Sequence, residues 1–149
     1  MLSSLQAYSH FVYTLQDRYP SIQRSTLILI PLGATMGSLR GTLDFEGGIS
    51  LRVVEELEFD LQRIEYYSYT VSRGDDTLYW YDPQPHPGDP SLASTHPHHK
   101  HVSPDATAPE EKKSGIKHNR IPAPGLSFDQ PNLPLLIEEI ESSFLIDNP

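Results

Sequence analysis

A cluster of histidines in the second half of the chain is the feature with the most evident chemistry. Six of the seven histidines lie within residues 86–118, and four of them belong to the string His96–His101. If this string ends in an extended segment, the imidazoles of His99 and His101 point to the same side, because side chains alternate along a strand. The two rings would then supply a general acid and a general base for phosphodiester cleavage. Lys100 would stabilise the charge that develops on the phosphorane.

The same residue types are also compatible with other roles. Neutral imidazoles of His99 and His101, together with Asp82 or Glu55, could bind a divalent metal ion. A third interpretation is a solvated loop rich in histidine and proline, with adventitious metal affinity and no catalytic role. The residue pattern alone leaves these three interpretations open.

A first hairpin is predicted to position Glu55. The segments Leu39–Phe45 and Ile49–Phe59 alternate apolar and polar residues, and Glu46-Gly47-Gly48 between them is typical of a three-residue hairpin loop. In this register Leu43 lies opposite Leu51, and Leu39 lies opposite Glu55. Glu55 is therefore predicted in phase with the apolar residues. A carboxylate at such a position either orients a histidine or binds a metal, or it reaches water at the end of a sheet.

A second hairpin, Arg63–Ser72 with Thr77–Asp82, is predicted to position Asp82. Its turn lies at Arg73-Gly74-Asp75-Asp76. The predicted opposing pairs are Val71 with Leu78, Tyr69 with Trp80, and Tyr67 with Asp82.

A three-residue loop, Asp60-Leu61-Gln62, is predicted to join the two hairpins. It brings Leu57 opposite Glu65, Glu55 opposite Tyr67, and Val53 opposite Tyr69, so that Glu55, Tyr67 and Asp82 form one row across three strands. A four-residue loop would reverse the face, and a slip of one residue would remove the row.

Helices are predicted at both ends of the chain. Residues 2–18 place apolar side chains at helical spacing, and Asn132 is a plausible N-cap before an apolar stripe that runs from Leu133 to Phe144. The predicted fold class is α+β: an antiparallel β meander of four to five strands, with the N- and C-terminal helices packed on one face, and a long His/Pro-rich loop.

This reading predicts a single domain over residues 1–149. Its parts are an N-terminal helix in residues 1–20, a sheet in residues 25–82, a His/Pro-rich active-site loop in residues 83–131 and a helix in residues 132–146. The loop holds ten prolines and shows no periodicity, and its tip, residues 103–116, is expected to be mobile.

Composition limits the classes of function. The net charge of −9 argues against a large non-specific nucleic-acid surface, since phosphate neutralisation needs clustered Lys and Arg. Any local anion-attracting surface is expected within residues 96–120, which hold several lysines. The sequence has no cysteine, shows no signal-peptide pattern, and its longest apolar run, Leu27–Leu32, is too short to span a bilayer. We therefore expect a cytoplasmic protein without a membrane partner.

The segments Tyr81–His86 and His96–Val102 together resemble the signature of the TumE-like toxin family, the toxic components of bacterial and archaeal toxin–antitoxin pairs. The glycine-rich hairpin and the strand that ends near Glu55 are also similar to that family. The resemblance covers about residues 25–102 and extends weakly to the last helix. Two departures are Thr95, at a position where the family has an aromatic residue, and a longer segment at residues 103–130.

The resemblance implies a nuclease, and six residues match the family's pattern: Glu55, Asp82, His86, His99, Lys100 and His101. Its implied partner is a cognate antitoxin that holds the toxin inactive, expected to be a small DNA-binding regulator.

The preferred hypothesis is a toxin that cleaves RNA, in which His99 and His101 act as acid and base and Lys100 contacts the scissile phosphate. Asp82 or Glu55 would orient an imidazole. Since the 2′-hydroxyl of RNA permits metal-free cleavage, no cofactor is required, although a divalent metal bound by His99, His101 and Asp82 is possible. The alternative is a non-catalytic metal-binding or protein-interaction module that uses the His/Pro-rich loop.

Overall fold

The computed structural model describes residues 1–83, 99–102, 120–122 and 125–145. Most of the predicted His/Pro-rich loop, including His86 and the tip at residues 103–116, lies outside these residues. The helices and strands of the described residues are α1 (Leu5–Tyr13), α2 (Leu15–Arg18), β1 (Ile22–Ser25), β2 (Ile28–Leu32), β3 (Met36–Phe45), β4 (Ile49–Glu58), β5 (Arg63–Arg73), β6 (Asp76–Asp82), β7 (His99–Val102), β8 (Arg120–Pro122) and α3 (Leu133–Ile140), which a π-helical segment (Glu141–Leu145) follows.

The strands form one antiparallel sheet. Strands β3 to β8 follow one another as a meander, and β1 and β2 pair with the two halves of β3. This arrangement confirms the α+β class and the meander, but the described residues contain eight strands rather than four or five. The additional strands β1, β7 and β8 are only three or four residues long, so they offer too little alternation to be recognised in the sequence.

The first hairpin has the predicted register. Leu43 pairs with Leu51, and Leu39 pairs with Glu55. The turn is the short 3₁₀ segment Glu46–Gly48, in which Gly47 has a φ of 78°. Glycine adopts this left-handed conformation without the steric cost that a Cβ would add. Glu55 therefore lies on the apolar face, as the alternation predicts.

The connection between β4 and β5 differs from the prediction, but it still brings Glu55 opposite Tyr67, as predicted. Glu58 pairs with Arg63, so the loop has four residues, 59–62, instead of three. A β-bulge then adds Glu65 to β5, because Leu57 pairs with Ile64 and not with Glu65. The extra residue in the loop shifts the pairing of β4 with β5 by one position, and the extra residue in β5 shifts it back. Glu55 consequently lies opposite Tyr67, as predicted.

The predicted register of the second hairpin is wrong by one residue. Arg73 pairs with Asp76 and Ser72 with Thr77, but a second bulge at Leu78 makes Val71 pair with Tyr79 and Tyr69 with Tyr81. The predicted pairs of Tyr69 with Trp80 and Tyr67 with Asp82 therefore do not form. The bulge buries Tyr79 and Tyr81 and leaves Asp82 on the other face, where its charge avoids desolvation in the core.

Both terminal helices cover the same face of the sheet, which we call the helix face. The helices contribute buried side chains that include Tyr8 and Phe11 from α1 and Leu136 and Ile137 from α3. The predicted N-terminal helix is interrupted at Thr14, whose hydroxyl donates to the carbonyl of His10. In the part of the chain that the structure describes, no helix combines the length and apolarity that crossing a bilayer requires.

The opposite side of the sheet is polar, and we call it the open face. It carries the outward side chains of β4 to β7, which include Arg52, Glu56, Tyr66, Ser68, Thr70, Ser72, Trp80, Asp82 and His101.

Candidate active site

The histidine string enters the sheet as strand β7. In its register with β6, Trp80 pairs with His101 and Asp82 pairs with His99. His99 and His101 thus occupy positions of the same phase in one strand, as the sequence predicts for an extended segment. Strand β7 places both residues beside the end of β6.

His101 is enclosed by two side chains of β6. Its ring stacks on Trp80, with 4.9 Å between the centroids and 6° between the planes. Its Nε2 lies 3.4 Å from Oδ2 of Asp82, and only 6% of the residue is exposed. A carboxylate in contact with an imidazole is a means of fixing the orientation of the ring. The described site therefore contains one largely buried imidazole in contact with one carboxylate.

Lys100 lies on the helix face, away from His101. Its backbone pairs with Tyr81, and its Nζ is 3.4 Å from Oε2 of Glu139 in α3 and 4.0 Å from the centroid of the Tyr79 ring. The alternation that places His99 and His101 in one phase necessarily places Lys100 in the other. The structure therefore does not bring Lys100 together with His101.

Glu139 is the centre of this second cluster, and its role was not anticipated from the sequence. The hydroxyl of Tyr81 donates to the Glu139 carboxylate, at 2.7 and 2.8 Å from its two oxygens. Burial, followed by the hydrogen bond to Glu139, raises the pKa of Tyr81. Tyr81 therefore remains a donor, and Tyr81 and Lys100 hold β6 and β7 against α3. The sequence shows that Glu139 is an acidic residue within a largely apolar helix. This pattern could have pointed to a role for Glu139, but it does not identify the strand that the helix contacts.

Glu55 lies in the core on the helix face, and it is fully buried. The hydroxyls of Tyr8 and Tyr69 each donate to its carboxylate at 2.5 Å. The side chain of Asn132, predicted as an N-cap, makes no capping bond and instead donates to the Tyr69 hydroxyl at 3.1 Å. Burial raises the pKa of Glu55, although the two hydrogen bonds oppose that effect. The sheet separates this network from His101.

The remaining predicted site residues have no described side-chain geometry. His86 lies outside the described residues, and for His99 the structure gives the backbone position alone. Among the described residues, no group of three or more His, Cys, Asp or Glu side chains is placed to hold a metal ion. A metal held by His99, His101 and Asp82 therefore stays a prediction.

Comparison with known proteins places these elements in a family. The family model described as Toxin TumE matches residues 15–123. The match includes β1 to β8 and all six candidate residues, and it begins before the resemblance read from the sequence but does not reach the last helix. A search of curated proteins and a search of solved structures each gave no match.

Proposed function

The chain belongs to the TumE toxin family, and on this premise we propose that it is a toxin that cleaves phosphodiester bonds of RNA. His99 and His101 are the acid–base pair, and Asp82 orients His101. The toxin family implies an antitoxin partner. We propose a small DNA-binding protein for this partner and the cytoplasm as the site of action.

The observation that carries the proposal is the contact between Asp82 and His101 beside the position of His99. In metal-free cleavage of RNA, one imidazole takes the proton of the 2′-hydroxyl as its oxygen attacks the adjacent phosphorus. The other imidazole gives a proton to the 5′-oxygen as its bond to phosphorus breaks, which leaves a 2′,3′-cyclic phosphate. Burial of His101 strengthens its attraction to Asp82, since water is largely excluded from the contact.

Lys100 and Glu55 act through other residues in this proposal. Lys100 holds β7 on α3 through Glu139, which keeps His99 and His101 at their positions in the sheet. Glu55 joins α1 to the core through Tyr8. The predicted contact of Lys100 with the scissile phosphate is not part of the function that this geometry supports best.

A second candidate is a non-catalytic interaction module, which an exposed apolar row on β2 favours. Ile28, Ile30 and Leu32 are 56%, 43% and 46% exposed. The outer edge of this strand is closed to strand addition, because the amide of Leu29 donates to the Tyr13 hydroxyl and Pro31 has no amide proton. A partner of this surface would therefore bind through apolar side chains.

The test is induction of the wild type and of a variant with His99→Ala and His101→Ala, with growth and RNA integrity measured in parallel. His10→Ala is the matched control, since His10 is an exposed histidine on α1. We expect growth arrest and RNA degradation from the wild type and the control, and neither from the double variant. Growth arrest by the double variant, or arrest with intact RNA, would contradict the proposal.

Purified protein then separates the two chemical versions of the site. Cleavage of RNA that persists in EDTA and is absent with DNA supports the metal-free mechanism. Complete dependence on an added divalent cation would instead support a metal held by His99, His101 and Asp82.

A further inference from the structure

The open face contains a trough that the proposed chemistry does not use, on the side of Trp80 opposite His101. Its floor is the part of strand β5 in which the outward residues Ser68, Thr70 and Ser72 are small. Its walls belong to the two neighbouring strands. One cross-strand row contains both walls and the floor, because Arg52 pairs with Thr70 and Thr70 pairs with Trp80.

The width of the trough suits one planar ring. Adjacent strands of a sheet lie about 4.8 Å apart, so the backbones below Arg52 and Trp80 are separated by about 9.6 Å. A flat ring in contact with a group on each side needs about 7–8 Å between those groups. The small side chains on β5 leave this space open between the walls.

The first wall presents an aromatic surface. One face of the Trp80 indole is covered by His101, with nearly parallel rings. His101 lies on the β7 side, so the other face of the indole is turned toward β5 and the trough. In the described part of the chain, no second aromatic ring stacks on Trp80.

The second wall presents a guanidinium group that is available for a ligand. Arg52 is exposed and has no ion-pair partner among the described residues. Arg40, on the same face, differs because its Nη2 lies 2.6 Å from the carboxylate of Glu56. Guanidinium planes and aromatic rings are the two kinds of side chain on which unpaired RNA bases stack.

We propose that this trough binds one unpaired base of a single-stranded RNA, stacked between Trp80 and Arg52. The inference rests on the proposed function, since it places the sugar–phosphate chain next to His101. The hydroxyls on β5 would face the edge of the base. The net charge of −9 is compatible with such a site, because stacking does not require a broad cationic surface. The salt dependence of binding is therefore expected to be shallow.

The experiment uses the only tryptophan of the chain, Trp80, as its reporter. The probe is a 2′-O-methyl oligoribonucleotide of about eight nucleotides, which the full-length protein binds but cannot cleave through a 2′-hydroxyl. We expect it to quench Trp80 fluorescence. Arg52→Ala should raise Kd, measured by polarisation of the labelled probe, by about two- to thirtyfold. Arg24→Ala, which removes an exposed arginine from β1, should leave Kd within about twofold.

A second pair of variants fills the space without changing Trp80 or Arg52. Thr70→Phe places a ring on the floor of the trough, so it should abolish quenching. Thr42→Phe makes the same change at the other side of Arg52 in the same row, outside the trough, and should preserve quenching. Thr70 and Thr42 are both half-buried, and aromatic residues suit half-buried strand positions, so both variants are expected to fold.

The outcomes separate this inference from the proposed function. Quenching that Thr70→Phe removes, without cleavage of unmodified RNA, would support the trough and overturn the nuclease function. Cleavage of RNA with an unchanged KM in Arg52→Ala and Thr70→Phe would support the function and overturn the trough. Absence of quenching, or an equal loss of affinity in Arg24→Ala, would also overturn it.

Discussion

Glu55 and Asp82 are both acidic residues of the same sheet, but they lie on opposite faces and have different partners. Glu55 is fully buried and accepts hydrogen bonds from the hydroxyls of Tyr8 and Tyr69. The side chain of Asp82 is 15% exposed and contacts His101. A shared residue class therefore says little about role until the face and the partners are known.

The partners determine what each carboxylate can do. Burial, followed by the charge of Glu55, raises the pKa values of Tyr8 and Tyr69, so both hydroxyls keep their protons at neutral pH. Glu55 can accept their hydrogen bonds but cannot pass a proton through them. Asp82 instead contacts the imidazole of His101, a side chain that serves as a general acid or base in many enzymes. We propose that Glu55 contributes to stability and Asp82 to activity.

Asp82→Asn should produce the largest effect, and the effect should fall on activity. The substitution keeps the size of the side chain but removes the charge that stabilises the protonated ring. We expect the rate of RNA cleavage to fall by about 10²- to 10⁴-fold, measured with labelled RNA. The melting temperature should change little. Asp44→Asn, at a half-buried position on β3, is the control, and a rate within about twofold of wild type for Asp82→Asn would contradict the assignment.

Glu55→Ala should have the next largest effect, and it should fall on stability. The change leaves two buried tyrosine hydroxyls without their acceptor and opens a cavity. We expect a loss of about 2–4 kcal/mol in the free energy of unfolding, measured by urea denaturation. Cleavage per folded molecule should be unchanged. A loss of cleavage at full stability would instead place Glu55 in the catalytic chemistry.

The sequence predicts the opposition of Glu55 and Tyr67 but not the separation of Glu55 from Asp82. Alternation and a glycine-rich turn are local signals, so the first hairpin is predicted with its register. The bulges at Glu65 and Leu78 cannot be recognised in the sequence. Polar and aromatic residues are mixed in these strands, so the alternation looks unbroken when one residue is inserted. The first bulge compensates for the longer loop, but nothing compensates for the second.

The site itself is predictable to a similar extent. The shared phase of His99 and His101 follows from alternation alone, and so does the opposite phase of Lys100. The contacts of Tyr8, Asn132 and Glu139 depend on how the helices dock on the sheet. Local periodicity indicates which side of a helix is apolar but not which strand it meets. These partners therefore required the structure.

The pH dependence of stability provides a smaller test of the same comparison. The pKa of Glu55 is raised above its ordinary value of 4.5 in the folded protein, chiefly by burial. Between 4.5 and the folded value, the folded state keeps a proton that the unfolded chain has lost. The free energy of unfolding should therefore decrease as pH rises through this window, by at most about 1.4 kcal/mol per pH unit from this group.

Glu55→Gln removes the titrating group and keeps an oxygen that can accept a hydrogen bond. Urea denaturation of the wild type and of Glu55→Gln at a series of pH values above 4.5 gives the free energy of unfolding of each protein as a function of pH. The slopes of the two curves are then compared. We expect the decrease to be present in the wild type and absent, or clearly smaller, in Glu55→Gln. If the free energy of unfolding has the same pH dependence in both proteins, Glu55 does not take up a proton when the chain folds. The carboxylate would then be held ionised by Tyr8 and Tyr69, so that the two hydrogen bonds outweigh desolvation.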